Sequence, residues 1–329
     1  MNNESNTSDT RIDYAADPHL SNAVKTFLKP LNDGGPGLET LPKDKARQVL
    51  VDAQNAFSVD LSGIEESDRT IVQDGLNVKI NIVRPSGNNE ILPVFIFIHG
   101  GGWILGDYPT HKRMVRDLVV LTGFVGVFVN YTPSPEAQYP TALNEIFAVA
   151  RWITVKGAEI KVNPAKMGII GNSVGGNMTA ATALMAKEKG GPDFKVQIMM
   201  WPVTNADFED DSWKAFGAQR FLTAPLMKWM WDNYIPVEKR NEIYACPLLA
   251  TAADMKGLPP TLIMVAENDI LRDEGEAYGR KLDEAGIPET TIRFNGMIHD
   301  FGLLNGLAEI PQTKELFLEA SATLKKYLK

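Results

Sequence analysis

The sequence predicts an α/β protein, a mostly parallel twisted sheet of about eight strands with helices on both faces. Three observations carry that expectation. Short apolar runs such as Leu92–Ile98 (LPVFIFI) are near-continuous, as in strands buried on both faces. Stretches of helical periodicity alternate with them along the chain. Two of the runs also lead directly into glycine-rich loops, where a parallel sheet places its ligands.

The elements follow in order. Met1 to Thr10 is polar and reads as disordered, without the basic start and apolar run of a signal peptide. Between Tyr14 and Asp60 the pattern is a helix, a turn at Asp33-Gly34-Gly35-Pro36-Gly37, and a second helix from Lys43 to Phe57. Strands at Asp68 to Gln73 and Leu76 to Arg84 flank Asp74-Gly75, a hairpin signal. Leu92 to Ile98 is a buried strand, Lys112 to Leu121 a helix and Phe124 to Asn130 a strand. Ala142 to Val155 reads as a helix, Met167 to Ile170 as a strand and Gly175 to Lys187 as a helix. Val196 to Trp201 and Leu262 to Ala266 are further strands, separated by a long segment, Pro202 to Pro260, rich in Trp, Phe, Met and Asp. A helix at Glu274 to Ala285, a strand at Thr290 to Phe294 and a helix at Thr313 to Tyr327 close the chain.

Composition narrows the function classes. The chain has 329 residues, 44% of them hydrophobic and 22% charged, enough for a core that needs neither disulfide nor metal. A net charge of −8 argues against a nucleic-acid partner, which calls for a basic stripe. The apolar runs are too short to span a membrane. A single cysteine, Cys246, cannot form an internal disulfide or a cysteine-rich metal site, and it suits a cytoplasmic location. No metal-ligand spacing is recognisable.

The chemistry lies in two loops. After the strand ending at Ile170 comes Gly171-Asn172-Ser173-Val174-Gly175, a Gly-x-Ser-x-Gly between strand and helix. That is the context of a nucleophile elbow, in which Ser173 projects its hydroxyl above the sheet. After the strand ending at Ile98 comes His99-Gly100-Gly101-Gly102-Trp103. Three glycines in a row sacrifice conformational entropy unless the backbone must approach something closely. An oxyanion hole needs such an approach, because its donors are main-chain N–H groups. A phosphate loop would need a following Lys-Ser or Lys-Thr, and a dinucleotide fingerprint would need glycine at Leu105.

Together these motifs resemble the hormone-sensitive-lipase-like family of α/β-hydrolase fold esterases. The resemblance extends to Gly37-Leu38-Glu39-Thr40-Leu41, to Asn130-Tyr131, to Asp269 through Gly275, and to Gly296-Met297-Ile298-His299-Asp300-Phe301. It implies hydrolysis of short-chain carboxylic esters, a small-molecule ester as partner, and no metal or organic cofactor. In this fold the order is serine, acid, histidine. Of His19, His99, His111 and His299, only His299 follows Ser173, and it is the expected base; His99 is expected to bond within the glycine loop. Asp269 matches the acid by position, with Asp273 and Glu274 nearby as first-turn residues of the next helix. By the same resemblance Gly101, Gly102 and Val174 supply the oxyanion N–H groups. Residues 1–60 and 203–246 would form a cap over a core of 61–202 and 247–329. Relatives often form dimers, which leaves a homodimer open.

Three positions depart from the family pattern. Asn172 stands where Asp or Thr is usual and can still bond locally. Val174 replaces alanine, and its stiff side chain is expected to crowd the acyl pocket, favouring acetyl to butyryl esters. Asp300 replaces glycine and is expected to raise the pKa of His299. One or two of Trp213, Phe216, Phe221, Trp229, Trp231 and Tyr234 would line an apolar pocket. Two alternatives remain at this level: an amide or peptide hydrolase on the same site, and a non-catalytic binding protein of the same fold.

Overall fold

A computed structural model describes residues 12–329, so the polar stretch Met1 to Thr10 lies outside the described residues. Eight strands form one sheet: β1 (Ile64–Gln73), β2 (Leu76–Pro85), β3 (Leu92–Ile98), β4 (Val125–Asn130), β5 (Val162–Asn172), β6 (Gln197–Met200), β7 (Thr261–Asn268) and β8 (Glu289–Ile298). Their spatial order is β1-β2-β4-β3-β5-β6-β7-β8. β1, β2 and β4 pair antiparallel, and every pairing from β4 through β3 to β8 is parallel.

The hairpin forms as its turn residues require. Asp74 and Gly75 both adopt positive φ, 54° and 79°, the backbone of a turn whose twist matches the strands it joins. β3 lies at the centre with side chains alternating between two cores. Val94, Ile96 and Ile98 meet helices α4 (Thr141–Lys156) and α5 (Val174–Lys189). Phe95 and Phe97 face the other way, into the core that holds α3 (Tyr108–Thr122) and the last helix, Pro311–Leu328. Burial on both faces is why this strand reads as uninterrupted hydrophobicity.

After β3 the chain moves to β4 on one side; it then crosses back, and β5 pairs with β3 on the other. The connections therefore diverge between β3 and β5, opening a crevice at their carboxyl ends. Both glycine loops empty into it.

Several element ends differ from the sequence reading. α3 starts at Tyr108, a turn before Lys112, because Asp107 and Thr110 form a reciprocal capping box with Pro109 in the first turn. β5 starts at Val162; a register shift after the Leu92–Val162 pair hides the early part from any alternation pattern. β8 continues past Phe294 to Ile298 through another shift, with Gly296 at φ 78°. The segment after β6 leaves and returns at one place, since the Leu248 N–H donates to Thr204 O at 2.9 Å. Between those points lie two helices, Asp211–Phe216 and Ala224–Tyr234. The N-terminal helices α1 (Asn22–Asn32) and α2 (Lys43–Asn55) precede the sheet. Among the described residues no helix is long and apolar enough to cross a membrane.

Candidate active site

Ser173 sits between β5 and α5 at φ 56° and ψ −122°, a left-handed conformation for a residue with a side chain. Such backbone strain costs about 1–3 kcal/mol and persists only where surroundings enforce it. Here they do. A Cβ on Gly171 would lie 2.3 Å from Gly175 O, and one on Gly175 would lie 2.0 Å from Ile98 O. The turn therefore closes only with glycine at both positions. The Ser173 N–H donates to Met200 O at 2.8 Å, pinning the turn to β6.

The loops after β7 and β8 bring the other two residues to it. His299 Nε2 lies 3.0 Å from Ser173 Oγ, and His299 Nδ1 lies 2.7 Å from Asp269 Oδ2. All three side chains are buried. Asp269 Oδ1 also accepts from the Leu271 N–H at 3.0 Å, which orients the carboxylate. Burial by itself lowers the pKa of His299, but the charges of Asp269 and Asp300 and the Asp269 hydrogen bond outweigh it, so the net shift is upward.

The glycine loop after β3 faces the same point. Gly101 and Gly102 have φ of 103° and 62°, and a Cβ on Gly101 would meet Leu105 O at 2.3 Å. Among the described residues the N–H groups of Gly101, Gly102 and Val174 find no protein acceptor. His99 lies beneath them, stacked on Tyr131 at 4.1 Å, its Nδ1 2.8 Å from Gly100 O. Burial lowers its pKa to about 4, so the ring is neutral and Nδ1–H donates to that carbonyl. The expected bond within the loop is present.

Asn172 does more than bond locally. Its Oδ1 accepts from the Gly100 N–H at 3.0 Å and its Nδ2 donates to Asp300 Oδ1 at 3.2 Å. Asp300 Oδ1 also accepts from Trp201 Nε1 at 2.7 Å, and Asp300 Oδ2 stands 3.8 Å from His299 Nε2. Two of the three departures from the family pattern are thus partners, joining the glycine loop to the histidine loop.

Over Ser173 and His299 lies a cavity of about 560 Å³, walled by residues of α1, α2, the turn between them and the segment Gly217–Met230. One expectation fails here. Val174 does not crowd this space: its side chain is fully buried in the core below α5 and is not part of the wall. Of the six aromatics named above, one lines the cavity, Phe221, in keeping with the expected one or two. Trp213, Trp231 and Tyr234 are buried as core, Tyr234 stacking on Trp103 at 4.0 Å.

Sequence reasoning also missed the role of Glu274. It is in the first turn, as expected, but it is also completely buried, and Oε1 accepts from the N–H groups of Thr204 and Asn205 at 2.6 and 3.1 Å. It fastens the start of the insertion to the helix that follows Asp269. Burial pushes its pKa up to about 8. No signal within its own segment separates it from Asp273, because its partners lie some seventy residues away.

The sheet, the elbow and the glycine loop define an α/β hydrolase. The sequence profile described as alpha/beta hydrolase fold matches residues 95–303, and the chain belongs to that family, within the hormone-sensitive-lipase-like esterases its motifs resemble. An esterase from Pseudomonas putida of known structure is 50% identical, with a TM-score of 0.94 over 95% of this chain and 99% of that one. A carboxylesterase of Mycobacterium tuberculosis is 31% identical, covering 79% of this chain and 82% of its own length. An ethyl acetate hydrolase of Pseudomonas putida is 28% identical over 72% of this chain and 75% of its own.

Proposed function

We propose that the protein is a serine carboxylesterase acting on short-chain acyl esters through Ser173, His299 and Asp269. The observation that carries this reading is the contact chain Ser173 Oγ to His299 Nε2 at 3.0 Å and His299 Nδ1 to Asp269 at 2.7 Å, on the floor of the cavity. Asp269 holds the imidazole with its proton on Nδ1, leaving Nε2 free to accept the serine proton. Ser173 Oγ then attacks the ester carbonyl carbon. The carbonyl oxygen becomes an oxyanion and receives the N–H groups of Gly101, Gly102 and Val174, donors without other protein acceptors among the described residues. As the tetrahedral intermediate collapses, His299 returns the proton to the leaving alcohol. Water repeats the cycle on the acyl-enzyme, with His299 again as base.

The short-chain preference is supported by likeness to the ethyl acetate hydrolase. Residues 1–60 and 203–246 are read as a cap, supported by the walls that both contribute to this cavity. A cytoplasmic setting is read from Cys246, which is buried and unbonded to another cysteine.

The test is turnover of acyl esters of increasing chain length beside matched amides, with Ser173→Ala as the blank. Ester cleavage peaking from acetyl to butyryl is expected, with a loss of about 10⁴-fold or more in the variant. Labelling of Ser173 by a fluorophosphonate is expected too. Equal turnover by the variant would overturn the mechanism, faster amide than ester cleavage the activity, and an octanoyl optimum the chain-length reading.

A further inference from the structure

The turn Gly37-Leu38-Glu39-Thr40-Leu41 has no part in the chemistry above, yet it forms part of the cavity wall. Gly37, Leu38 and Glu39 line the same space as Ser173 and His299. The absence of a side chain at Gly37 makes room for the Glu39 carboxyl group: a Cβ there would lie 2.3 Å from Glu39 Oε1. The carboxyl is thereby folded against the wall of the turn rather than extended from it, and it is only partly exposed.

The charges around this cavity are one-sided. The described residues that line it include two carboxylates, Glu39 and Asp300, and no lysine or arginine. The segment Gly217–Thr223 does contain a cation, Arg220, between the lining residues Gln219 and Phe221. It is turned out of the wall, buried against Asp17 with Nη2 to Oδ2 at 2.7 Å, so its charge is already matched. Asp300 is held by Trp201 and Asn172 deep beside His299. That leaves Glu39 as the charge a bound molecule would meet away from the reacting atoms. A cleft with low-dielectric walls and charge of one sign concentrates ligands of the opposite sign and repels those of its own.

We propose that Glu39 makes this pocket charge-selective, so that it favours esters bearing an ammonium group and rejects those bearing a carboxylate, phosphate or sulfonate. The inference rests on the carboxylesterase reading and adds a substrate class to it. Selection acts on binding of a remote part of the substrate, not on the acyl-transfer chemistry, so it falls on KM more than on kcat.

Three acetate esters test it: one of a quaternary ammonium alcohol, one of its neutral carbon isostere, and one of a hydroxycarboxylate of similar length. At low ionic strength, the ratio of kcat/KM between the ammonium and carboxylate esters is expected to be about thirtyfold. It should fall to about threefold in Glu39→Gln and below one in Glu39→Lys, and salt should compress it in the wild type. Because each enzyme serves as its own reference through the ratio, a general loss of activity in a variant does not imitate the effect. The same ratio in all three proteins would overturn the inference. A neutral ester cleaved through Ser173 with no charge preference sinks this inference alone; no ester cleaved at all sinks the carboxylesterase reading with it.

Discussion

Asn172 and Asp300 are hydrogen-bonded to one another, Nδ2 to Oδ1 at 3.2 Å, beside the serine and histidine that they respectively precede and follow in the chain. Asn172 precedes Ser173, Asp300 follows His299, and the amide's other end holds the Gly100 N–H at 3.0 Å. The pair therefore fixes the relative position of three loops: the elbow, the histidine loop and the glycine loop. Asp300 adopts φ 59°, which glycine would take without strain, so an aspartate at this position is maintained by what its carboxylate binds.

The Asp300 charge has a consequence for the pH–rate profile. In the proposed mechanism His299 must be neutral to accept the serine proton, and its pKa is raised in part by Asp300, 3.8 Å from Nε2. The acidic limb of activity, which follows protonation of His299, thus lies above its position without that charge. Asp300→Asn keeps an acceptor for Trp201 and removes the charge, so the acidic limb of kcat/KM is expected to move to lower pH. Asp300→Gly should move it the same way. A limb that stays in place in both variants contradicts the assignment.

Asn172→Ala should lower activity and stability together. It leaves the Gly100 N–H buried without an acceptor, at a cost of about 1–3 kcal/mol, and loosens the loop that carries Gly101 and Gly102. A fall in kcat at near-constant KM, measured on an acetyl ester, is the expected signature of donors that act only on the oxyanion.

Glycine at the elbow is a steric necessity. Gly175→Ala would place a methyl group 2.0 Å from Ile98 O, a backbone atom of the central strand that cannot give way. The variant is expected to lose several kcal/mol of stability, about 3 or more, and to accumulate as insoluble protein. Its failure would come from the fold rather than from the chemistry, which soluble yield separates from Ser173→Ala.

Glu274→Ala removes the acceptor of two backbone N–H groups at the start of the insertion, and of the Trp213 indole at 3.4 Å. Each donor left buried and unpaired costs about 1–3 kcal/mol, so a lower thermal midpoint is expected, with increased proteolysis in 203–246. Glu274→Gln retains an acceptor oxygen and should recover part of the loss.

A second clasp acts on the cavity wall. Gln219 and Phe221 have φ of 60° and 73°, and the Arg220–Asp17 pair between them is almost fully buried. Arg220→Met would leave Asp17 uncompensated, costing about 3–5 kcal/mol. With the strained loop released, KM for acetyl esters is expected to rise more than kcat falls. An unchanged KM in a folded variant would show that the loop holds its shape without the pair.

The candidate site was legible from residue order alone. Glycines at 171 and 175 around a serine, three glycines after a buried strand, and one histidine downstream of both are patterns of close neighbours with a single steric or chemical use. The hairpin at Asp74-Gly75 and the alternation of strands and helices were legible for the same reason, since backbone dihedrals and burial periodicity act over a few residues. Where that reach ended, the reading failed. Val174 appeared to face the acyl pocket, but the helix it begins carries its side chain into the core. That one or two of six aromatics in the insertion would line the cavity was legible, but that Phe221 is the one was not, since it depends on tertiary packing such as the stacking of Tyr234 on Trp103. Glu274 and Asp273 are adjacent and chemically alike, and only the return of Thr204 to that helix makes one a buried clasp. The bond between Asn172 and Asp300, separated by 128 positions, exists because β5 and β8 deliver both loops to one end of the sheet.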